Sequence, residues 1–459
     1  MRRIGIALAA CALGLVAAAA GSGGAVGTWT PVTPSTLANI DTVGLARTSA
    51  GLQVVWLGKA GTKTDLLHAT ILGTGGLGPV SKVVAGWGSL ADGSIVAAPS
   101  GLQAFFAGVR STSTTDPYSS GTVFTATAPH GGAPWTLGST AVAAPSNAYA
   151  SDWVASTLEK DGSPVTAWTG TSGFYIHKGV DPATSNVKVQ AACCAYYASL
   201  ATDSASGEVD AAWYSNAHGG YGMHVRRVLP SLGPDRVLPG SASGNSAVSP
   251  TEPVGIVGRA GAGGTCAAYG VGYPTWKALN VWCTNRASPL RVWTGTVTRF
   301  TVAPALDGRV WAIWANGTAI YAARSNKTVT QVGAAVPVAP PHGTTDIWNV
   351  QGDGTASPAA PLDLLASVTT HGIAFWHTRV EPGLTLVARR AAGGRTAFSV
   401  LDAGDPVHGA RIAVSGPHGT TLVAVSGTAT ASLPEGRYTA VATANGYSAA
   451  KTAFAVPHT

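Results

Sequence analysis

Two adjacent cysteines and two adjacent tyrosines lie close together in the stretch AACCAYYASLATD. They are Cys193, Cys194, Tyr196 and Tyr197. Thiols act as nucleophiles, redox groups or disulfide partners according to their compartment and their pKa, and tyrosine rings offer flat apolar faces with a polar tip. These residue types therefore predict a redox site, a structural bridge or part of a binding rim.

The start of the chain indicates the compartment of these thiols. Arg2 and Arg3 precede an apolar run over residues 4–20, and small residues follow, which is the order of a secretory signal peptide. We therefore expect a secreted protein whose residues 1–27 are the signal peptide and a short spacer. A lipid anchor through Cys11 is the minor alternative, because the residues before it have the types of a lipoprotein cleavage site.

The four cysteines outside the signal region are expected to form disulfides, although several connectivities are open. Cys266 and Cys283 lie on two strand-like runs joined by a turn-rich segment, which favours a cross-strand bond in one hairpin. Cys193 and Cys194 would then pair with each other. A bond between neighbours is strained, because a trans peptide holds their Cα atoms about 3.8 Å apart. Strained, exposed bridges are easier to reduce, and a redox role is the alternative.

Acids and aromatic residues recur in the segments between the strand-like runs. Aromatic rings can stack on sugars while acids accept hydrogen bonds from hydroxyl groups, a mixture typical of pocket walls. The candidate ligand-binding residues are Asp152, Trp153, Cys193, Cys194, Tyr196, Tyr197, Tyr221, Glu252, Tyr273, Trp276, Asp346 and Trp348. We predict no catalytic residue, metal ligand or cofactor, because His-Glu-x-x-His and Gly-x-Ser-x-Gly motifs are absent from the sequence.

Short strands are the elements that must position these residues. Hydrophobic residues make up 46% of the chain, charged residues only 11%, and 59 residues are glycine. Runs such as LQVVWLG, LQAFFAG and VWAIWA, bounded by turn residues, predict an all-β protein. The net charge of +7 is spread without a Lys/Arg-rich run, so we expect no nucleic-acid partner. No later segment has the roughly 20 apolar residues of a membrane span.

One unit recurs along the chain, consisting of a strand that ends in an aromatic residue, a turn and a second strand. Seven copies run from LQVVWLG with DLLHATI to DLLASVTT with GIAFWHTR. Their spacing of about 50 residues is that of a four-stranded propeller blade. We predict a β-propeller over residues 28–381, seven-bladed by this count with six or eight blades as alternatives. Thr28–Val32 would supply the outer strand of the last blade.

The propeller prediction assigns places to the aromatic and polar residues. One large aromatic residue per unit is expected to pack between blades, namely Trp56, Phe106, Trp168, Trp213, Tyr269 and Trp314. The loops that enter the innermost strands and those that join the second and third strands line one face. The candidate ligand-binding residues fall in these loops, so we expect them to form the rim of the central opening.

The repeats also carry a family resemblance. The stretches SLATDSASGEVDAAWYSN and DGSPVTAWTGTSGFYIHKG resemble the blades of sialidase-like propellers, a superfamily of glycosidases and non-catalytic sugar binders. Its Asp box, Ser-x-Asp-x-Gly-x-Thr-Trp, has a degenerate counterpart over Ala128–Trp135, in which His130 replaces the Asp. The Phe/Tyr-Arg-Ile-Pro motif that carries the first catalytic arginine of sialidases is absent from the sequence.

The segment over residues 382–459 differs in character from the repeats. It has short alternating strands separated by Gly, Pro and Asp turns, with too few residues for further blades. Asp402–Ile412, Leu433–Tyr438 and Ala444–Tyr447 resemble carboxypeptidase regulatory-like or related immunoglobulin-like domains. That resemblance implies an accessory β-sandwich that serves as a spacer or adhesion module.

Together these features favour a secreted, non-catalytic binding protein. It would recognise a glycan or another surface ligand through one face of the propeller. The alternative is a secreted sialidase-like glycoside hydrolase or lyase that uses carboxylates at the propeller mouth, since glycoside hydrolysis needs two carboxyl groups facing the scissile bond.

Overall fold

The computed structural model describes residues 26–34, 42–110, 123–138, 153–170, 173–181, 186–190, 195–215, 221–241, 254–272, 275–317, 319–357 and 361–457. Within these ranges the regular elements are β-strands, apart from a short 3-10 turn over Ala392–Gly394. The all-β prediction is confirmed.

The first three sheets follow one another along the chain. In each sheet the strands follow chain order from the innermost to the outermost, and neighbouring strands run antiparallel. The first holds β2 (Gly44–Thr48), β3 (Gly51–Ala60), β4 (Lys63–Ile71) and β5 (Ser81–Trp87). The second holds β7 (Ser94–Ala98), β8 (Gly101–Val109), β9 (Val123–Ala128) and β10 (Thr136–Leu137), with β6 (Ser89–Leu90) pairing the end of β8. The third holds β11 (Ala155–Leu158), β12 (Pro164–Gly170), β13 (Gly173–Lys178) and β14 (Val187–Gln190).

The next three sheets repeat the same order. The fourth holds β15 (Ala195–Thr202), β16 (Val209–Ser215), β17 (Gly222–Leu229) and β18 (Arg236–Val237). The fifth holds β19 (Ile256–Gly258), β20 (Thr265–Val271), β21 (Trp276–Cys283) and β22 (Leu290–Val297). The sixth holds β23 (Arg299–Pro304), β24 (Val310–Ala315), β25 (Ile320–Arg324) and β26 (Val336–Val338).

The seventh sheet joins the two ends of the repeat region. It holds β27 (Asp346–Asp353), β28 (Leu362–Thr369), β29 (Ile373–Val380) and, as its outer strand, β1 (Thr30–Pro31). Thr30 pairs with His377 in this sheet. The innermost strands contact one another in order from β2 to β27, and β27 contacts β2. The described sheets therefore form a closed ring, and the predicted propeller with its N-terminal closing strand is confirmed.

Large apolar side chains fill the spaces between neighbouring sheets. The six repeat aromatics are at most 2% exposed. Phe174 of the third sheet lies 5.5 Å from Trp213 of the fourth, and Trp293 of the fifth lies 5.4 Å from Trp314 of the sixth, measured between ring centroids. Replacing such a buried aromatic residue by Ala typically costs about 3–5 kcal/mol. The predicted packing role of these aromatics is confirmed.

A disulfide joins Cys266 and Cys283, which lie directly opposite each other on β20 and β21. Their Cα atoms are 4.0 Å apart, and both residues are fully buried. The bond therefore links the two central strands of the fifth sheet. Cys193 and Cys194, predicted to form the other bridge, lie outside the described residues.

The C-terminal segment forms two facing sheets, as the fold prediction requires. One holds β30 (Thr385–Arg390), β31 (Thr396–Asp402), β32 (Asp405–Pro406) and β35 (Thr428–Ala431). The other holds β33 (Ala410–Ser415), β34 (Thr420–Ala424), β36 (Gly436–Thr443) and β37 (Ala450–Val456). Alternate residues of β33 are buried, and Phe398, Ile412 and Tyr438 share one core. This is a β-sandwich; the domain boundary at residue 382 stays a prediction.

Candidate functional site

All seven innermost strands begin at the same end of the ring, which we call the upper face. Five of the predicted site residues lie outside the described residues, namely Asp152, Cys193, Cys194, Glu252 and Tyr273. For Tyr196 the structure describes the strand position alone. Both Tyr196 and Tyr197 lie within β15 rather than in the loop before it, because the strand begins earlier and contains an irregular register after Tyr196.

A cavity of about 190 Å³ lies on the ring axis and is lined by all seven innermost strands or the residues just before them. Its polar side chains are hydroxyls and carboxamides, namely Ser94, Ser156, Ser199, Thr301, Asn349 and Gln351. None of the described residues that line it is acidic or basic. The cavity therefore offers neutral hydrogen-bonding groups between apolar walls.

Two sets of hydrogen bonds fix parts of this lining. The Ser94 hydroxyl donates to the Ser156 hydroxyl at 2.7 Å, joining the second and third sheets. The Gln351 carboxamide accepts from the Val43 amide at 3.0 Å and donates to the Val43 carbonyl at 3.1 Å, joining the seventh and first sheets. These side chains are thus preorganised by contacts between blades.

An aromatic rim on three neighbouring sheets meets the cavity at Phe300, which is one of its lining residues. We define the rim as Trp276, Arg299, Phe300 and Trp348. The rings of Trp276 and Phe300 meet edge to face with centroids 5.0 Å apart. Arg299 Nε donates to the Trp348 carbonyl at 2.7 Å, and Trp348 Nε1 donates to Thr369 Oγ1 at 2.7 Å. Trp348 is 37% exposed, so part of its ring faces solvent.

The other described candidates surround the opening without joining the rim. Trp153 lines the cavity and forms a parallel bridge with Asp92. Tyr197, with φ 50°, accepts at its carbonyl from the Val254 amide at 3.0 Å. Tyr221 is half-buried just before β17. Asp346 is exposed, and its Oδ1 accepts from the Ile347 amide at 2.8 Å. One of its carboxylate oxygens is therefore bonded to the backbone of its own strand.

The structure links two predicted residues, Trp276 and Trp348, to the neighbouring residues Phe300 and Arg299 of the sixth sheet, and it adds the polar cavity lining. Sequence reasoning looked for ligand contacts in loops, whereas Ser94, Thr301 and Asn349 lie within innermost strands. The available signal was a hydroxyl or carboxamide at the same strand position in several repeats.

The segment Ala128–Trp135, compared above with an Asp box, forms a packed turn at the periphery. The Trp135 ring lies 5.2 Å from His68 in an edge-to-face arrangement, and His130 Nε2 is 3.0 Å from the Ala98 carbonyl, to which it can donate. Gly132 has φ +82°, and an added Cβ would lie 2.0 Å from His68 Cε1. Burial lowers the pKa of His68 to about 4, which keeps its imidazole neutral against Gln53 and Ser81.

The clustered acids of the fourth sheet lie away from the axis. Asp203, Glu208 and Asp210 share a cleft of about 360 Å³ with arginine side chains. Arg227 Nη1 donates to Glu208 Oε1 at 2.6 Å, and Thr265 Oγ1 donates to Asp210 Oδ2 at 2.7 Å. Burial raises the pKa of Asp210. The described part of the chain contains no group of His, Cys, Asp and Glu side chains arranged to hold a metal ion.

No helix within the described ranges is long and apolar enough to cross a membrane.

Comparisons with known proteins give structural likenesses at low identity. No protein-family model matches the chain, and no curated protein matches it. The WD40 domain of Toxoplasma gondii coronin is 10% identical, with 75% of this chain and 82% of that chain covered and a TM-score of 0.49. A post-proline cleaving enzyme from Rickettsia typhi is 9% identical, with 80% and 58% covered and a TM-score of 0.40.

An exo-β-1,3-galactanase from Phanerochaete chrysosporium is 10% identical, with 95% of this chain and 98% of that chain covered and a TM-score of 0.37. At such identities a likeness concerns the fold alone. The ring of four-stranded sheets and the two facing C-terminal sheets make this chain a β-propeller joined to a β-sandwich.

Proposed function

We propose that this is a secreted, non-catalytic binding protein that recognises a glycan through the upper face of the propeller. The observation that carries the proposal is the neutral cavity on the ring axis beside the aromatic rim. Hydroxyl and carboxamide groups can both donate to and accept from sugar hydroxyls. Aromatic planes cover the apolar faces of sugar rings, as they do in other ligand pockets.

The size of the cavity limits how much of the ligand enters it. Its volume of about 190 Å³ lies below the roughly 300–1,000 Å³ of ordinary small-molecule pockets. A single terminal sugar or one ring substituent would occupy the cavity, and the rest of the chain would lie on the rim. Trp348, with its exposed ring, is positioned to contact that outer part.

The proposal favours binding over hydrolysis because of the charge of the lining. A glycosidase needs two carboxyl groups about 5–9.5 Å apart, and the described residues that line the cavity contribute none. The alternative, a sialidase-like hydrolase or lyase, would depend on acids such as Asp152 and Glu252. Their replacement therefore separates the two functions.

Secretion is part of the same proposal. It is supported by the signal-peptide pattern of residues 1–27 and by the Cys266–Cys283 disulfide, because stable disulfides are typical of oxidising compartments. The C-terminal sandwich would act as a spacer or adhesion module, as its immunoglobulin-like resemblance implies.

A glycan array followed by hydrolysis assays on the hits tests this function. We expect the wild type to bind a glycan without forming product. A variant carrying Asp152→Ala and Glu252→Ala should bind the same glycan equally well. Release of sugar by the wild type that is lost in this variant would establish the hydrolase instead. Absence of any binding on the array would refute glycan recognition.

A further inference from the structure

A second cavity lies at one end of the sandwich, remote from the propeller axis. It opens between β30 and β37, which are edge strands of the two facing sheets. We call it the arginine groove. Its volume is about 430 Å³, within the range of about 300–1,000 Å³ for small-molecule pockets.

Positive charge dominates this groove. Three arginines, Arg389, Arg390 and Arg395, are among its lining residues, together with a single acidic residue, Glu435. Across the described part of the chain, no carboxylate forms an ion pair with any of these arginines. Arg395 Nη2 donates to Thr430 Oγ1 at 2.6 Å. A guanidinium has five N–H donors, so Arg395 retains donors for a ligand.

The position of Arg390 is unusual for a charged side chain. Successive residues of a strand point to opposite faces, so Arg390 shares the core-facing side of β30 with Leu386 and Ala388. The strand ends at Arg390. Its guanidinium is therefore presented at the open end of the sandwich core, where the apolar side chains of Leu433, Phe454 and Val456 also line the groove.

We propose that the arginine groove binds an organic oxyanion, a carboxylate or phosphate group carried on an apolar chain. Arginine forks bind both oxyanions bidentately, and the apolar walls would cover the attached chain. A lone inorganic ion would fill only a small part of the groove of about 430 Å³. The rest would hold water molecules, each of which occupies about 30 Å³. This site is independent of the function proposed for the propeller.

Isothermal titration of the full chain with four probes tests the proposal. Octanoate and octyl phosphate carry the oxyanion and the chain, octyl glucoside carries the chain with a neutral head group, and acetate carries the carboxylate alone. We expect binding of octanoate, octyl phosphate or both, and the tighter of the two identifies the source of the oxyanion. Octyl glucoside binding as tightly as both charged probes, or no binding of either, would overturn the proposal.

Matched variants locate the binding. We expect Arg390→Gln and Arg395→Gln each to lower the affinity for the bound probe by roughly ten- to a hundredfold, since a hydrogen bond to a charged group contributes about 1.5–3 kcal/mol. Arg411→Gln, an exposed arginine of β33 outside the groove, should leave the affinity unchanged. Equal weakening by all three variants would indicate non-specific charge attraction and would refute the site. All three arginines are exposed, so the variants should fold.

Discussion

Asp402 of the sandwich and Arg324 of the propeller form a buried ion pair, with 2.5 Å between Asp402 Oδ2 and Arg324 Nη2. Their side chains are only 2% and 5% exposed. Arg309 Nη1 lies 3.2 Å from the same oxygen, and Arg309 Nη2 donates to Asp405 Oδ2 at 2.5 Å. The sandwich is therefore held against the sixth sheet by a network of charges rather than joined by the connecting segment alone.

Asp402→Asn should strongly destabilise this junction. Removing one partner of a buried pair leaves uncompensated charge and typically costs about 3–5 kcal/mol. We expect a lower urea midpoint and faster proteolysis between the propeller and the sandwich. Asp307→Asn is the matched control, because Asp307 is 47% exposed and lies 3.6 Å from Lys327. Equal stability of the two variants would show that the buried network does not hold the sandwich in place.

The buried neutral His68 should make stability depend on pH. Because burial lowers its pKa from 6.5 to about 4, the unfolded chain takes up a proton at a higher pH than the folded chain. The contribution of His68 to the free energy of unfolding is therefore complete above pH 6.5, where the imidazole is neutral in both states. It falls by about 3 kcal/mol as the pH drops to 4. Urea unfolding across this range should show a smaller loss for His68→Gln than for the wild type.

The control for this pH series is His342→Gln, because His342 is exposed. Its stability should follow the wild-type curve between pH 6.5 and 4. If His68→Gln also followed that curve, the buried imidazole would not be the source of the pH dependence.

Gly132→Ala and Gly61→Ala should separate steric clash from backbone strain. Both glycines have positive φ, +82° and +67°, a conformation that costs an L-residue about 1–2 kcal/mol. Only at Gly132 would the new Cβ meet the His68 ring; at Gly61 no heavy atom lies within 4 Å. Thermal unfolding should therefore show a greater loss for Gly132→Ala, and equal losses would contradict the packing of this turn against His68.

The fold was largely predictable from the sequence because its unit repeats. A single strand such as LQVVWLG is ambiguous, but recurrence about every 50 residues identifies a blade. Pairing of β1 with β29 also followed from the sequence, since Thr28–Val32 had no partner in its own unit. The Cys266–Cys283 bond followed from the position of both residues on two strand-like runs joined by a turn-rich segment, and the structure places them opposite each other.

The site was less predictable, because its members come together only through closure of the ring. Gln351 and Val43 are far apart in sequence, yet the Gln351 side chain forms two hydrogen bonds with the Val43 backbone where the first and seventh sheets meet. The partner of Asp402 likewise depends on how the sandwich docks. Local patterns carry information on turns and strand faces, whereas these contacts depend on the relative placement of whole sheets.

The most direct test of the account is the affinity of an array-selected glycan for the wild type, Trp348→Ala and Val237→Ala. Val237, 45% exposed on the outer strand β18, is the control away from the rim. Truncating an aromatic residue that contacts the ligand typically costs about 2 kcal/mol of binding free energy, which corresponds to roughly thirtyfold weaker binding. We predict that weakening for Trp348→Ala and wild-type affinity for Val237→Ala. Unchanged affinity of Trp348→Ala would contradict recognition at the aromatic rim.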